Sequence, residues 1–161
     1  DQGRTTRTVT IETVNVTSME TNFRAVMKRT ASIVAIQEHK LRGEALRKVT
    51  ADFRDAGITL FLGPIDPDTR IPNAGVGLAV KDDVIVIQAE MLTAGFREAY
   101  NAGRAAKFEA DIGLRHNIRI FVVYGKREKK KDLLEDGGSV NVPAVAAGVL
   151  GLGALAFLAL S

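Results

Sequence analysis

The chain of 161 residues is long enough for one domain with a sizeable core, or for a smaller domain joined to an appendage. Its 22 basic and 19 acidic residues are interspersed and leave a formal charge of +3, which does not by itself indicate a nucleic-acid-binding protein. The absence of cysteine excludes disulfides, thiolate metal sites and cysteine nucleophiles.

The first part of the chain predicts two strands that alternate with two helices. A run rich in β-branched residues (7–18) and the short apolar run "SIVAIQ" are typical of strands. Residues 20–31 and 42–57 fit helices, and the second of these ends at a glycine, as helices often do. One face of the first strand carries Val9, Ile11, Thr13 and Asn15, and the apolar face of the second helix carries Leu46, Val49 and Phe53.

Four further strands are predicted after a loop at 64–75, where three of the four prolines lie within nine residues. The strand-like runs are "GVGLAVK", "DVIVIQAE", "KFEADIG" and "IRIFVVYG". The last run is apolar on both faces except at Arg119, so we expect it to be covered from both sides.

The composition changes after Gly125, and we expect three units: a folded part at 1–125, a charged linker at 126–141 and a transmembrane helix at 142–160. The third unit has no charged side chain, and 19 residues make a helix of roughly 28 Å, close to the hydrocarbon thickness of a bilayer. The linker carries five Lys and Arg residues, and because basic residues are enriched on the cytoplasmic side of a span, we expect the folded part on the cytoplasmic or stromal side.

Small side chains recur along this apolar segment at three- and four-residue spacing. On a helix they would form one stripe that lets a second helix, or a flat pigment such as chlorophyll or a carotenoid, approach the backbone closely. The residues of this predicted packing stripe are Ala144, Ala147, Gly148, Gly151 and Ala154.

The runs "TVNVTS", "ASIVAIQEHKL", "GVGLAVK" and "RIFVVYG" resemble the amino-terminal half of the endonuclease/exonuclease/phosphatase family, and in detail its retroelement-type endonucleases. The resemblance covers about residues 7–125. It implies an α/β fold, half of a four-layer α/β sandwich, with a mixed sheet and flanking helices. It also implies that Asn15 and Glu38 face a divalent-metal site, with Tyr124 near the scissile phosphate.

Mg²⁺ prefers oxygen ligands, so a carboxylate and an amide at neighbouring strand ends are a plausible partial shell. The family also uses an Asp-x-Asn and a Ser-Asp-His motif, yet the 37 residues after Tyr124 contain no histidine and only one asparagine, Asn141. The resemblance therefore implies an incomplete catalytic set in this chain.

Each candidate residue also has a plain structural interpretation. Glu38 can be a charged residue at the end of a buried strand, and the polar neighbours of His39 and His116 predict that both histidines are exposed. Gly75 and Gly77 precede a strand, whereas the glycines of a phosphate-binding loop follow one, so no phosphate loop is expected.

Two functions remain open on these residues. The first is a non-catalytic, membrane-anchored accessory subunit of a larger membrane complex, with a photosystem-type complex of the thylakoid membrane as the specific expectation. It requires no cofactor, and its partners would be other membrane subunits that contact the helix and an uncovered sheet face. The alternative is a metal-dependent endonuclease or phosphodiesterase fragment of a retroelement, with Mg²⁺ and nucleic acid as cofactor and partner. A chimeric chain is a third possibility.

Overall fold

A computed structural model describes residues 9–70, 73–111, 117–124, 145–149 and 154–160, and it shows an α/β fold with two sheets. Its helices are α1 (Met19–Met27), α2 (Gly43–Asp55) and α3 (Ala94–Asn101). Its strands are β1 (Ile11–Asn15), β2 (Ile33–Gln37), β3 (Ile58–Leu62), β4 (Val76–Lys81), β5 (Ile85–Gln88), β6 (Ala105–Asp111), β7 (Ile118–Tyr124), β8 (Val145–Val149) and β9 (Ala154–Leu160).

The first sheet has the strand order β1-β2-β4-β3 and is mixed. β1 and β2 are parallel, because α1 returns the chain between them, and the other pairs are antiparallel. Helices α1 and α2 cover the outer face of this sheet. Val49 and Phe53 of α2 pack there with Val34 and Ile36 of β2, as the helical spacing in the sequence predicts.

The second sheet has the order β5-β6-β7-β9-β8 and is antiparallel throughout. Its central strand β7 is buried on both faces, which confirms the prediction from its apolar pattern. Ile120 and Val122 face the space between the sheets, whereas Phe121 and Val123 pack against Phe96 of α3.

The inner faces of the two sheets pack on each other. The cluster between them joins Leu78 and Val80 of β4 with Phe108 of β6 and Ile120 of β7, and Phe61 of β3 meets the Phe108 ring edge-on at 6.1 Å. The layers are therefore helices, sheet, sheet and helix. A half-sandwich with one bare sheet face was expected from the sequence, but strands from the second part of the chain supply the facing sheet.

Helix α3 was not predicted from the sequence. Its first turn is held by Thr93, whose Oγ1 accepts a hydrogen bond from the Phe96 N–H at 3.1 Å. Phe96 is fully buried against the second sheet. The sequence pattern that predicts a helix is weak here. An eight-residue helix has only about two turns to show a periodicity, and α3 buries a single aromatic residue.

The apolar tail differs from the prediction of a helix at 142–160. The described tail residues form β8 and β9, and β9 pairs with β7 from Ile118↔Leu160 to Tyr124↔Ala154. No helix among the described residues is long and apolar enough to cross a membrane. Three glycines, at 148, 151 and 153, each lower helix propensity by about 1 kcal/mol relative to alanine, while an open β7 edge offers backbone partners.

Three residues of the predicted packing stripe lie on strands in the described part of the tail. Ala147 and Gly148 lie on β8 and Ala154 lies on β9, whereas Ala144 and Gly151 lie outside the described residues. The charged linker predicted at 126–141 also lies outside them.

Candidate functional site

Asn15 and Glu38 meet where the parallel strands β1 and β2 end. Asn15 pairs in register with Gln37, so the next residue of β2, Glu38, leaves the sheet beside it. Asn15 Nδ2 donates a hydrogen bond to Glu38 Oε1 at 3.2 Å, and Asn15 Oδ1 accepts one from the Thr17 N–H at 3.0 Å. The sequence-based pairing of these two side chains is present in the structure.

Tyr124 reaches the same place from the end of β7 in the opposite sheet, and its hydroxyl donates a hydrogen bond to Glu38. Lys40 Nζ lies 3.5 Å from Glu38 Oε2. All three residues singled out from the sequence therefore converge, and Lys40, which was not singled out, joins them. The sequence signal that could have identified Lys40 is its position two residues after Glu38.

The protonation states follow from these contacts. Burial alone would raise the pKa of Glu38, but the hydrogen bonds from Tyr124 and Asn15 and the charge of Lys40 outweigh it, so this pKa lies below its ordinary value. The hydrogen bond to Glu38, with burial and the carboxylate charge, raises the pKa of Tyr124 against an opposing effect of Arg104. At neutral pH the site therefore holds a carboxylate and a neutral phenol.

The backbone around Glu38 adopts left-handed conformations. The four non-glycine residues with positive φ in the described part of the chain are Thr17 (60°), Glu38 (57°), Lys40 (54°) and Ala74 (61°). Such conformations cost roughly 1–3 kcal/mol each and persist only where the surroundings hold them. Here they are held by backbone hydrogen bonds from His39 N–H to Gly75 O and from Lys40 N–H to Ala74 O, both at 3.1 Å.

His39 was expected at the surface, but it is 1% exposed. Its Nε2 lies 2.9 Å from the Gly63 carbonyl oxygen, and its Nδ1 accepts the Leu41 N–H at 3.0 Å, which assigns the proton to Nε2. Burial lowers the pKa of His39 to about 4, against a smaller opposing effect of the Gly63 hydrogen bond. His39 is therefore a neutral residue that joins the end of β2 to the loop between β3 and β4. The other histidine, His116, lies outside the described residues.

The two glycines before and within β4 have packing roles. Gly75 has φ +94°, and a Cβ placed on it would lie 2.5 Å from His39 Nε2. A Cβ on Gly77 would collide with the carbonyl oxygen of Phe61. These contacts explain both glycines without a phosphate.

The site as arranged does not fit a metal shell well. Glu38 has one oxygen facing Asn15 and the other facing an ammonium group, while the Asn15 amide oxygen accepts a backbone hydrogen bond. Among the described residues no three Asp, Glu, His or Cys side chains form a cluster that could hold a metal ion. A cation would have to displace Lys40 and turn the Asn15 amide. His39 cannot act as a base, because both of its ring nitrogens are engaged within the fold.

No protein-family model matches the chain, and no curated protein matches it.

Proposed function

We propose that the chain is a non-catalytic accessory subunit of a larger membrane complex, in which a nuclease-like fold serves as a docking module. The observation that carries this proposal is the state of Glu38. Its side chain is 16% exposed, and its carboxylate is bound by Asn15, Tyr124 and Lys40, so the group that would hold a catalytic metal instead joins the two sheets.

The remaining chemistry supports the same proposal. Hydrolysis of a phosphodiester needs a metal or another electrophile, together with a group that activates water. A carboxylate with a lowered pKa is a weak base, and the buried imidazole of His39 is turned into the fold. The chain after Tyr124 contains neither an Asp-x-Asn nor a Ser-Asp-His sequence.

The test is an incubation of the purified chain with Mg²⁺ or Mn²⁺ and abasic, single-stranded or supercoiled DNA. The Glu38→Gln variant is the matched control, because it keeps the size of the side chain and removes its charge. We expect equal, background-level cleavage from both proteins. Cleavage by the wild type that Glu38→Gln abolishes would overturn the proposal.

A second candidate is a metal-dependent endonuclease or phosphodiesterase fragment. It is favoured by the convergence of Asn15, Glu38 and Tyr124 from two sheets, with Arg104 close enough to affect the pKa of Tyr124. Removing the competing ammonium group by Lys40→Ala would expose the carboxylate to a cation. Under this candidate, an electron paramagnetic resonance titration would show tighter Mn²⁺ binding to Lys40→Ala than to the wild type. Under the accessory-subunit proposal, neither protein would bind Mn²⁺ at millimolar concentration.

Membrane attachment is the second part of the proposal, and the sequence of the tail supports it. No charge occurs at 142–160, whereas five Lys and Arg residues precede this segment. A helix across a bilayer and a strand beside β7 are alternative arrangements of the same residues. We therefore propose that insertion withdraws the tail from β7, with the folded part on the cytoplasmic or stromal side. The specific assembly proposed is a photosystem-type complex.

Alkaline carbonate extraction of membranes that contain the full chain tests the attachment. Gly151→Arg places a charge at the centre of the segment and should release the protein, because an arginine at that depth costs several kcal/mol. Ser161→Arg at the end of the segment is the control and should leave it in the membrane fraction. Extraction of the wild type would show that the tail does not anchor the chain.

A further inference from the structure

Strand β5 ends the second sheet and leaves one side of its backbone without a neighbouring strand in the described fold. The Ala89 N–H donates a hydrogen bond to Lys107 O at 2.9 Å, and in an antiparallel pair every second residue bonds to the neighbouring strand. Ile85 and Ile87 direct their backbone groups toward β6. Val86 and Gln88 therefore direct their N–H and C=O groups away from the sheet.

The side chains along this edge are apolar on the outer face. Ile85 is 67% exposed and Ile87 is 56% exposed, and with Leu92 they are the large apolar side chains described as exposed. Natural edge strands are usually protected by a lysine, a proline or a bulge. The sequence of β5, "IVIQ", contains none of the protective residues.

The opposite face of the same edge leads into a cavity of about 240 Å³ between the two sheets. Its lining includes Gln88 of β5, Phe108 of β6 and Leu62 of β3, with Tyr100 of α3 at one side. Successive side chains of a strand point to opposite faces. A strand added beside β5 would therefore place one side chain over Ile85 and Ile87 and the next toward this cavity.

Charge distinguishes between the possible occupants of the edge. Asp82 precedes β5 and Glu90 follows it, and both are exposed. Antiparallel pairing of β5 with a second copy would bring the start of one strand to the end of the other, and so Asp82 toward Glu90. Like charges placed in this way are destabilising, whereas Lys or Arg at the ends of an added strand would be attracted.

We infer that the β5 edge binds an extended segment of a partner protein, apolar at successive central positions and basic at both ends. The segment adds a strand to the second sheet: the backbone of Val86 and Gln88 supplies hydrogen bonds, and the cavity and the two isoleucines select its side chains. This inference deepens the proposed docking role and rests on it.

The test uses the full chain and a fluorescein-labelled peptide of the sequence Arg-Lys-Val-Phe-Val-Lys-Arg, titrated by fluorescence anisotropy. Gln88→Pro removes one outward N–H without removing a hydrogen bond to β6, and Gln88→Thr is the matched control that keeps this N–H. We expect Gln88→Pro to weaken binding about fivefold or more and Gln88→Thr to change it by less than about twofold. A peptide with Glu in place of Lys and Arg should bind about tenfold more weakly.

Ile87→Lys gives an independent variant at an exposed position that does not alter the backbone. It should also abolish binding of the basic peptide, because it places a positive charge beside the peptide's apolar centre. Equal binding by the wild type, Gln88→Pro and Ile87→Lys overturns the inference, and so does equal binding of the acidic peptide. A concentration-dependent dimer in sedimentation that Gln88→Pro dissociates also overturns it, because the occupant would then be a second copy.

These outcomes are separable from the proposed lack of catalysis. DNA cleavage that depends on Glu38, with intact peptide binding, refutes the non-catalytic proposal alone. Failure of the wild type to bind the peptide, without DNA cleavage, refutes the inference about β5 alone.

Discussion

The end of β2 and the edge at β5 differ in whether their groups are bound within the chain or exposed to solvent. Around Glu38 and His39, side-chain polar atoms are bound within the chain and the backbone is held in left-handed conformations. At β5, backbone groups point outward and two isoleucines remain in solvent. The first region therefore uses its polar side chains for contacts within the chain, whereas the second leaves backbone groups and apolar side chains open to a further contact.

Gly75→Ala should produce the largest change in stability. The new Cβ meets His39 Nε2 at 2.5 Å, and φ +94° is strained for any residue other than glycine. We expect the free energy of unfolding, measured by urea titration, to fall by roughly 2–4 kcal/mol. Gly95→Ala in α3 is the control, because no atom lies within 4 Å of its added Cβ, and it should change stability by less than about 1 kcal/mol. Equal effects of the two substitutions would contradict a rigid contact between Gly75 and His39.

The buried imidazole of His39 should make stability depend on pH. Its pKa is about 4 in the folded chain and 6.5 for an ordinary histidine, so the unfolded state binds the proton more tightly. The free energy of unfolding should therefore fall as the pH decreases from about 6.5 to about 4, by about 3 kcal/mol in total. Denaturant titrations across this range should show that the free energy of unfolding depends less steeply on pH in His39→Asn than in the wild type. Glu38 acts in the same direction only at lower pH, since its pKa lies below its ordinary value. The same pH dependence of the free energy of unfolding in both proteins would show that His39 is not buried in its neutral form.

Tyr124→Phe should have a moderate effect at the same site. It removes a hydrogen bond that joins the two sheets through Glu38, at an expected cost of about 1 kcal/mol. The pKa of Glu38, followed by NMR of its side-chain carboxyl carbon, should rise because a group that stabilises the carboxylate is lost. Tyr100→Phe is the control and should leave that pKa unchanged. An unchanged Glu38 pKa in Tyr124→Phe would refute the contact.

Ile87→Thr should have the smallest effect, and it tests the other side of the comparison. Since Ile87 is 56% exposed, its replacement should change the free energy of unfolding by less than about 0.5 kcal/mol. Val86→Thr, one residue earlier and 8% exposed, introduces a buried hydroxyl at nearly constant volume and should cost about 1–2 kcal/mol. If Ile87→Thr were the more damaging of the two, β5 would already be covered in solution.

The sequence was informative where periodicity and burial agree. The strand "SIVAIQ" is buried at every position of β2, and β7 is covered on both faces as its pattern predicts. The meeting of Asn15 and Glu38 was implied by the resemblance to the nuclease family, and in the structure the two side chains meet where the parallel strands β1 and β2 end.

Other features depend on contacts that no local pattern carries. The polar neighbours of His39 in sequence suggested exposure, but its partners Gly63 and Gly75 come from a distant loop. The apolar composition of the tail fits a membrane helix and a buried strand equally well. In the structure, β9 of this tail pairs with β7.

The two sheets also divide the chain in sequence, and this division has a consequence for folding kinetics. Every strand of the first sheet lies within 11–81, and every strand of the second lies within 85–160. Each sheet can therefore form from nearby residues before the two dock, and closing short loops first costs less chain entropy. The hydrogen bond between Tyr124 and Glu38 spans this division and should form after the transition state. Its loss should accelerate unfolding while leaving the refolding rate almost unchanged.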